Sequence, residues 1–477
     1  MRILRKNDFR SFEHNSFIKY ITLKKHLPLV LIYFVFFCFI VSMLNPVKSY
    51  GEKIITLNQA YLYVAKLNGT IKSQRESYYQ STLLKWTAIS MLLPNISLTY
   101  KDQRFHQNSP SSSSQSSSGS SGGSNIFSFF FPTYGYTFAL TQPLLNIPAI
   151  PAYYAAENSI KSSKMSLNNI SQNKLFDTAS DYYDVLSDEN LVKADRKTME
   201  EALSHLQLAK AKLKAGLAII TDVLQAKSEY YQAKQQYIAS KNKLKSAEAN
   251  LRAIIGVSFN FKVAKPKNPE LLNNSLKKYI KLAYKYNPGL KSLKFLKKES
   301  KDEVYYYETQ YIPKINFEAT YNGISDNHFI PQGNVHYWTA AGVLTFPLFQ
   351  GGTRIISIEK ARSQNNANMY ELIQAKRNLR ADVVSGFYNI QNLKYQIIAL
   401  KHEESYAFKN YKLVEEEYKA GVATSVDVIT ALAELASARH NLLAEKLDYY
   451  SSILNFKTLT GSFKRKLIRL TIDRFKY

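Results

Sequence analysis

The chain has 477 residues, a single cysteine and a formal net charge of +26. That length would hold several ordinary domains, and the lone Cys38 excludes both a disulfide framework and a thiol metal site. A basic balance raises nucleic acid or an anionic surface as a partner, but the charges are spread along long helical stretches without a compact basic patch or a nucleic-acid fold signature, so they read as solvated helix faces and nucleic acid is set aside.

Residues 1–49 carry basic side chains from Arg2 to Lys25, an apolar run from Leu27 to Leu44, and Val47-Lys48-Ser49 ahead of a cut. That order is the layout of a cleaved secretory signal peptide. An uncleaved anchor is the competing reading, because such a run barely suffices to span a bilayer.

A first repeat is expected over residues 50–256 and a second over 276–461. Leu57 to Leu93 reads as one helix, with Leu276 to Ile312 as its partner; each stops at a proline, Pro94 or Pro313, which cannot continue a helix. Period-two alternation follows each proline. Strands are expected at about 95–104 and 133–142 in the first half and at about 314–324 and 335–346 in the second, each with one apolar and one more polar face. Ile96, Leu98 and Tyr100 share a face, as do Tyr134, Tyr136, Phe138 and Leu140. So do Ile315, Phe317, Ala319 and Tyr321, and finally Trp338, Ala340, Gly342, Leu344 and Phe346. Tyr, Phe and Trp near the strand ends resemble an interfacial aromatic girdle. The Ser-rich stretch 109–124 is a low-complexity loop, tolerable only where it meets solvent.

A very long helix follows in each half, at about Ala152–Ala215 and Thr353–Ala420; 64 residues at the α-helical rise give about 95 Å. A returning helix then begins after Gly216 or Gly421. The stretch from Gly216 to Gly256 recurs 205 residues later as Gly421 to Gly461, matching at Asp222/Asp427, Ala226/Ala431 and Ala233/Ala438. Heptad seams run from Val223 and Ala226 to Ile254, and from Val428 and Ala431 to Leu459, which imposes left-handed coiled-coil packing. The chain is therefore a tandem duplication around two helical hairpins. Residues 257–275, with Pro266 and Pro269, link the halves, and a short basic tail occupies 462–477.

Four strands cannot close a barrel, and an open sheet edge in hydrocarbon leaves backbone groups unpaired at several kcal/mol each. Two chains would supply eight strands, which enclose only side chains; three would supply twelve, which leave a lumen. A trimer is expected, sealed in outer-membrane lipid.

The duplicated plan, with tips of the form Gly-x-x-x-x-x-Asp-Val, resembles the TolC-like outer-membrane efflux factors over about residues 52–461. The resemblance implies a mainly α fold with a small antiparallel β portion. Its hairpins build an α-barrel tunnel, and its strands contribute to a 12-stranded trimeric barrel. It also implies docking of a periplasmic adaptor and an inner-membrane pump at the tips, export of drugs, metals or polypeptides, and no catalytic chemistry or cofactor. In better-known members an Arg stands two residues after the second tip glycine and a second Asp three residues after the first. Ala423 and Thr430 occupy those places here, so the ion-pair latch and double acidic ring are only partly present.

Asp222 and Asp427 stand as candidates for an acidic ring at the tunnel entrance, against the plainer reading of helix caps. Gly216, Leu217, Gly421 and Val422 are the candidate adaptor-docking tips, against plain helix termination. Tyr418 reads as a surface tyrosine, and Glu403-Glu404 and Glu415-Glu416-Glu417 as solvated faces. The histidines form no metal-binding pairs, so no metal ligation is expected. The reading from another class is a coiled-coil envelope scaffold anchored by its N-terminal segment.

Overall fold

The structure is a computed structural model that describes residues 53–108, 128–266, 275–326 and 334–463. The expected signal peptide, the Ser-rich loop, residues 267–274 of the linker and the tail beyond Phe463 lie outside the described residues. In chain order the elements are β1 (Lys53–Ile55), α1 (Leu57–Leu67), α2 (Gly69–Ser90), β2 (Asn95–Asn108), β3 (Ser128–Leu145), α3 (Ala149–Lys214) and α4 (Ile220–Ile255). Then come β4 (Phe261–Val263), α5 (Leu276–Tyr286), α6 (Pro288–Thr309), β5 (Lys314–Asp326), β6 (Asn334–Thr345), α7 (Thr353–Ala420) and α8 (Ser425–Leu459). The short strands β1 and β4 pair with each other.

The single helix expected at Leu57–Leu93 is two helices, and so is its partner at Leu276–Ile312. The break falls at Asn68 and Asn287, both extended in ψ. Each asparagine is an N-cap. The Asn68 side chain accepts from the Thr70 and Ile71 N–H groups at 3.0 and 3.3 Å, and the Asn287 side chain accepts from the Leu290 N–H at 2.9 Å. Each amide also reaches across the fold. Asn68 donates to the Ile254 carbonyl at 3.2 Å and Asn287 to the Leu459 carbonyl at 3.1 Å, so each stitches the break to the last turn of a returning helix. Capping satisfies N–H groups that a helix start otherwise orphans, and this outweighs helix continuity.

The four long strands form one antiparallel sheet in the order β2-β3-β5-β6. The register places Leu98 opposite Phe138, Phe138 opposite Tyr321, and Tyr321 opposite Trp338. All four apolar strand faces therefore fall on one side of the sheet, as alternation requires. The other side is polar: the Thr137 hydroxyl donates to the Asn322 side-chain oxygen at 2.8 Å, and the Thr320 and Thr339 hydroxyls lie 2.7 Å apart. On the apolar side the Tyr136 ring lies across Gly323, where an added Cβ would fall 2.4 Å from the ring. The strands run further than expected, because pairing continues outward to Asn108/Ser128 and to Asp326.

Along the helices, α3 packs against α4, α6 and α8, and α7 packs against α8. The heptad seams hold. Val223, Ala226 and Ala233 are buried in α4, and Val428, Ala431, Leu435, Ala438 and Leu442 in α8. A second buried column in α8, made by Ser425, Leu432, Arg439 and Ile453, faces α3. The same column in α4 is Ile220, Lys227 and Lys234, all exposed, and the half-buried Glu248. The sequence copies are equivalent, but α8 is covered by two helices of its own chain and α4 mainly by one.

Candidate functional site: the paired hairpin tips

Both tips are built by the same backbone device. Gly216 and Gly421 are left-handed, at φ +73° and +81°. The Gly216 N–H donates to the Leu213 carbonyl at 3.1 Å and the Leu217 N–H to the Lys212 carbonyl at 2.8 Å. The second tip repeats this with Gly421 to Tyr418 at 3.1 Å and Val422 to Glu417 at 2.9 Å. This is the Schellman closure, which uses the last free carbonyls of a helix and favours a residue without a Cβ. It leaves Leu217 and Val422 74% and 80% exposed. A Cβ at either glycine would meet nothing within 4 Å. The tips thus present bare apolar side chains beside open backbone.

The two aspartates differ in their local work. Asp427 completes a capping box. Its carboxylate accepts from the Thr424 N–H at 2.8 Å and hydroxyl at 2.7 Å, and its own N–H donates to the Thr424 hydroxyl oxygen at 3.3 Å. Those bonds from the Thr424 hydroxyl and N–H hold the Asp427 carboxyl below the usual carboxylate range. The Asp222 carboxylate accepts the Ile219 N–H, at 3.4 Å. Ile219 has no side-chain acceptor to return, so the first tip carries half of the box. The capping role of Asp427 leaves its charge exposed to solvent.

Behind the tips a buried polar group joins the hairpins. His205 Nε2 lies 3.0 Å from Ser425 Oγ, and that hydroxyl is 3.5 Å from the Asp222 carbonyl. Lys212 Nζ donates to the Tyr418 carbonyl and sits 4.4 Å from the Tyr418 ring centre. The His205 ring meets the same tyrosine edge-on at 5.0 Å. Burial pushes the His205 imidazole below its ordinary value, against the opposing pull of Glu415 and Asp222.

Two expectations are corrected here. Tyr418 is not a surface residue: it is 4% exposed and belongs to the core with Val428, Ala431 and Leu435. Glu415 is not on a solvated face; it is buried, with its carboxylate 2.8 Å from Lys412 Nζ. In both cases α3 of the first hairpin, through Lys212 and His205, lies against a face that is polar in its own helix.

Further along α3 and α8, sequence reasoning missed a charged crossing. The Arg439 guanidinium makes a forked pair with Glu201 at 2.9 and 3.2 Å and also donates to the Thr198 hydroxyl at 3.3 Å. Both charged side chains are nearly buried, at 8% and 11% exposure. One residue on, His440 Nε2 is 2.5 Å from Asp195 Oδ1. The available signal was the column of α8, where Arg439 stands seven residues after Leu432.

The family model described as "Outer membrane efflux protein" matches residues 88–257 and 279–462. Outer membrane protein TolC of Escherichia coli (strain K12) is 23% identical over 348 residues, covering 69% of this chain and 69% of that protein. Outer membrane efflux protein BepC of Brucella suis biovar 1 (strain 1330) is 21% identical over 322 residues, covering 68% of this chain and 70% of that one. Among solved structures, the CmeC outer membrane channel of Campylobacter jejuni superposes with a TM-score of 0.72 at 16% identity, covering 87% of this chain and 89% of that chain. Long hairpins, a four-stranded sheet with one apolar face and the family match agree, and they place the chain in the outer membrane as an efflux channel. The chain belongs to the outer membrane efflux protein family.

Proposed function

We propose that three copies close a 12-stranded barrel in outer-membrane lipid and continue as an α-barrel tunnel through the periplasm. The observation that carries this is the sheet. It has one apolar and one polar side, and its outer strands β2 and β6 each pair on one side only among the described residues. Backbone groups left bare in hydrocarbon must find partners. Three sheets joined edge to edge satisfy them around an open bore.

In this reading residues 1–49 are removed on export, the repeats are 50–256 and 276–461, and 257–275 is the link between them. A periplasmic adaptor docks on Gly216, Leu217, Gly421 and Val422, where apolar side chains stand in the open. An inner-membrane pump feeds the tunnel with small molecules or polypeptides. Asp222 and Asp427 together place six carboxylates around the entrance, an arrangement that attracts cations. The sheet argues against a scaffold, which has no use for an apolar β face.

Planar-bilayer conductance tests the ring. The wild-type channel should be blocked by divalent cations from the tip side, and Asp222→Ala/Asp427→Ala should relieve the block. Equal block in both proteins removes the ring reading, and absence of any conductance removes the tunnel.

A further inference from the structure

Between α3 and α8, beside the connector after β4, lies a cleft of about 420 Å³. Its size falls within the roughly 300–1,000 Å³ of small-molecule pockets. Tyr183 and Tyr450 form an aromatic wall, their rings stacked at 5.2 Å and 24°. Leu443 adds apolar surface and Asn190 an amide. Among the described residues, Lys265 and Lys446 are the only charged side chains of the lining, which includes no aspartate or glutamate.

Lys446 is half-buried and Lys265 stands exposed at the rim. Burial holds the Lys446 ammonium below its ordinary value, and Lys401 and Lys265 push it the same way, against Glu404. Burial, aided by Tyr450, pushes the Tyr183 hydroxyl up to about 12, so it stays a neutral donor. An anion beside the half-buried Lys446 ammonium would offset both its burial and its repulsion from Lys265.

We propose that this cleft binds a small organic anion, its carboxylate or phosphate held between Lys265 and Lys446 and its flat apolar body laid against Tyr183, Tyr450 and Leu443. A cation or metal is repelled by the same lysines. Tyr183 stands 34 residues into α3 from Ala149, about 50 Å along the helix from the end of the sheet. The ligand therefore arrives from water and not from the bilayer. Charge supplies orientation and the tyrosines supply area, as in other small-molecule sites.

Titration calorimetry of the purified full-length protein with 1-naphthyl phosphate tests this, with 1-naphthol as the uncharged control and micelle uptake subtracted. One saturable site per chain is expected. Lys265→Gln/Lys446→Gln should weaken it at least roughly tenfold, and 1-naphthol should not compete. Raising salt from about 0.05 to 0.5 M should weaken phosphate binding to the parent protein, which needs no variant to fold. No saturable binding overturns the proposal, including when a second copy of the chain covers the cleft. Equal affinity in parent and variant, or indifference to salt, overturns it as well. The readout is binding and not conductance, so loss of this site and loss of the tunnel are seen separately.

Discussion

Gly256 and Gly461 end the returning helices in the left-handed region, at φ +70° and +63°. A Cβ at Gly461 would fall 2.6 Å from the Tyr286 carbonyl, one at Gly256 would fall 3.1 Å from Leu67 Cβ, and one at Gly216 would meet nothing within 4 Å. Alanine scanning should therefore rank these positions. Gly461→Ala should cost most, about 2–3 kcal/mol, because backbone conformation and a backbone clash combine. Gly256→Ala should cost less and Gly216→Ala least, read as the temperature at which the assembled protein dissociates on a gel. Asp181 makes a second single-residue test. Burial raises its carboxyl to about 6, with Asp184 and Asp177 adding and Lys174 opposing. Its folded value lies above the unfolded one of about 3.9. Its contribution is thus fully present below about pH 4 and is lost as pH rises through about 6. Asp181→Asn should raise thermal stability at pH 7.5 and flatten the gain on acidification; an unchanged pH profile would refute the burial of that charge. The tip glycines were legible because positive φ has a strong sequence signature. Tyr418 and Glu415 were not, since what covers them lies on another helix about 200 residues away in the chain.

Elements show the same division. Proline marked both helix-to-strand junctions, and strand alternation identified the apolar side of the sheet before any register was known. The breaks at Asn68 and Asn287 were missed, because an asparagine inside an apolar-periodic run reads as a tolerated interior residue until its cap bonds are seen. The second buried column of α8 was missed for a geometric reason. A heptad pattern reports one seam, and α8 has two, one to α7 and one to α3. Arg439 and Glu201 sit in the second. Removing one partner of a buried pair leaves a stranded charge, so Arg439→Ala should destabilise by about 3–5 kcal/mol. Arg439→Met with Glu201→Leu should recover most of that loss. A double variant as unstable as the sum of the singles would mean the pair does not act as a unit across α3 and α8.

For the molecule as a whole, the duplication, the mainly α fold, the four-stranded antiparallel sheet and the outer-membrane family were all readable from offsets, prolines and tip motifs. The proposed joining of copies rests on one constraint, that a membrane sheet keeps no bare edge. Edge-strand cross-linking tests it most directly, helped by a chain whose only cysteine is Cys38. Cysteines are placed on polar-face positions of β2 (Ser97 or Thr99) and of β6 (Thr339 or Ala341), and oxidised in membranes. A closed ring predicts that some pair links β2 of one copy to β6 of the next and yields a covalent trimer as the end product. An end product at dimer, an open ladder beyond three, or a link closing within one chain would contradict it.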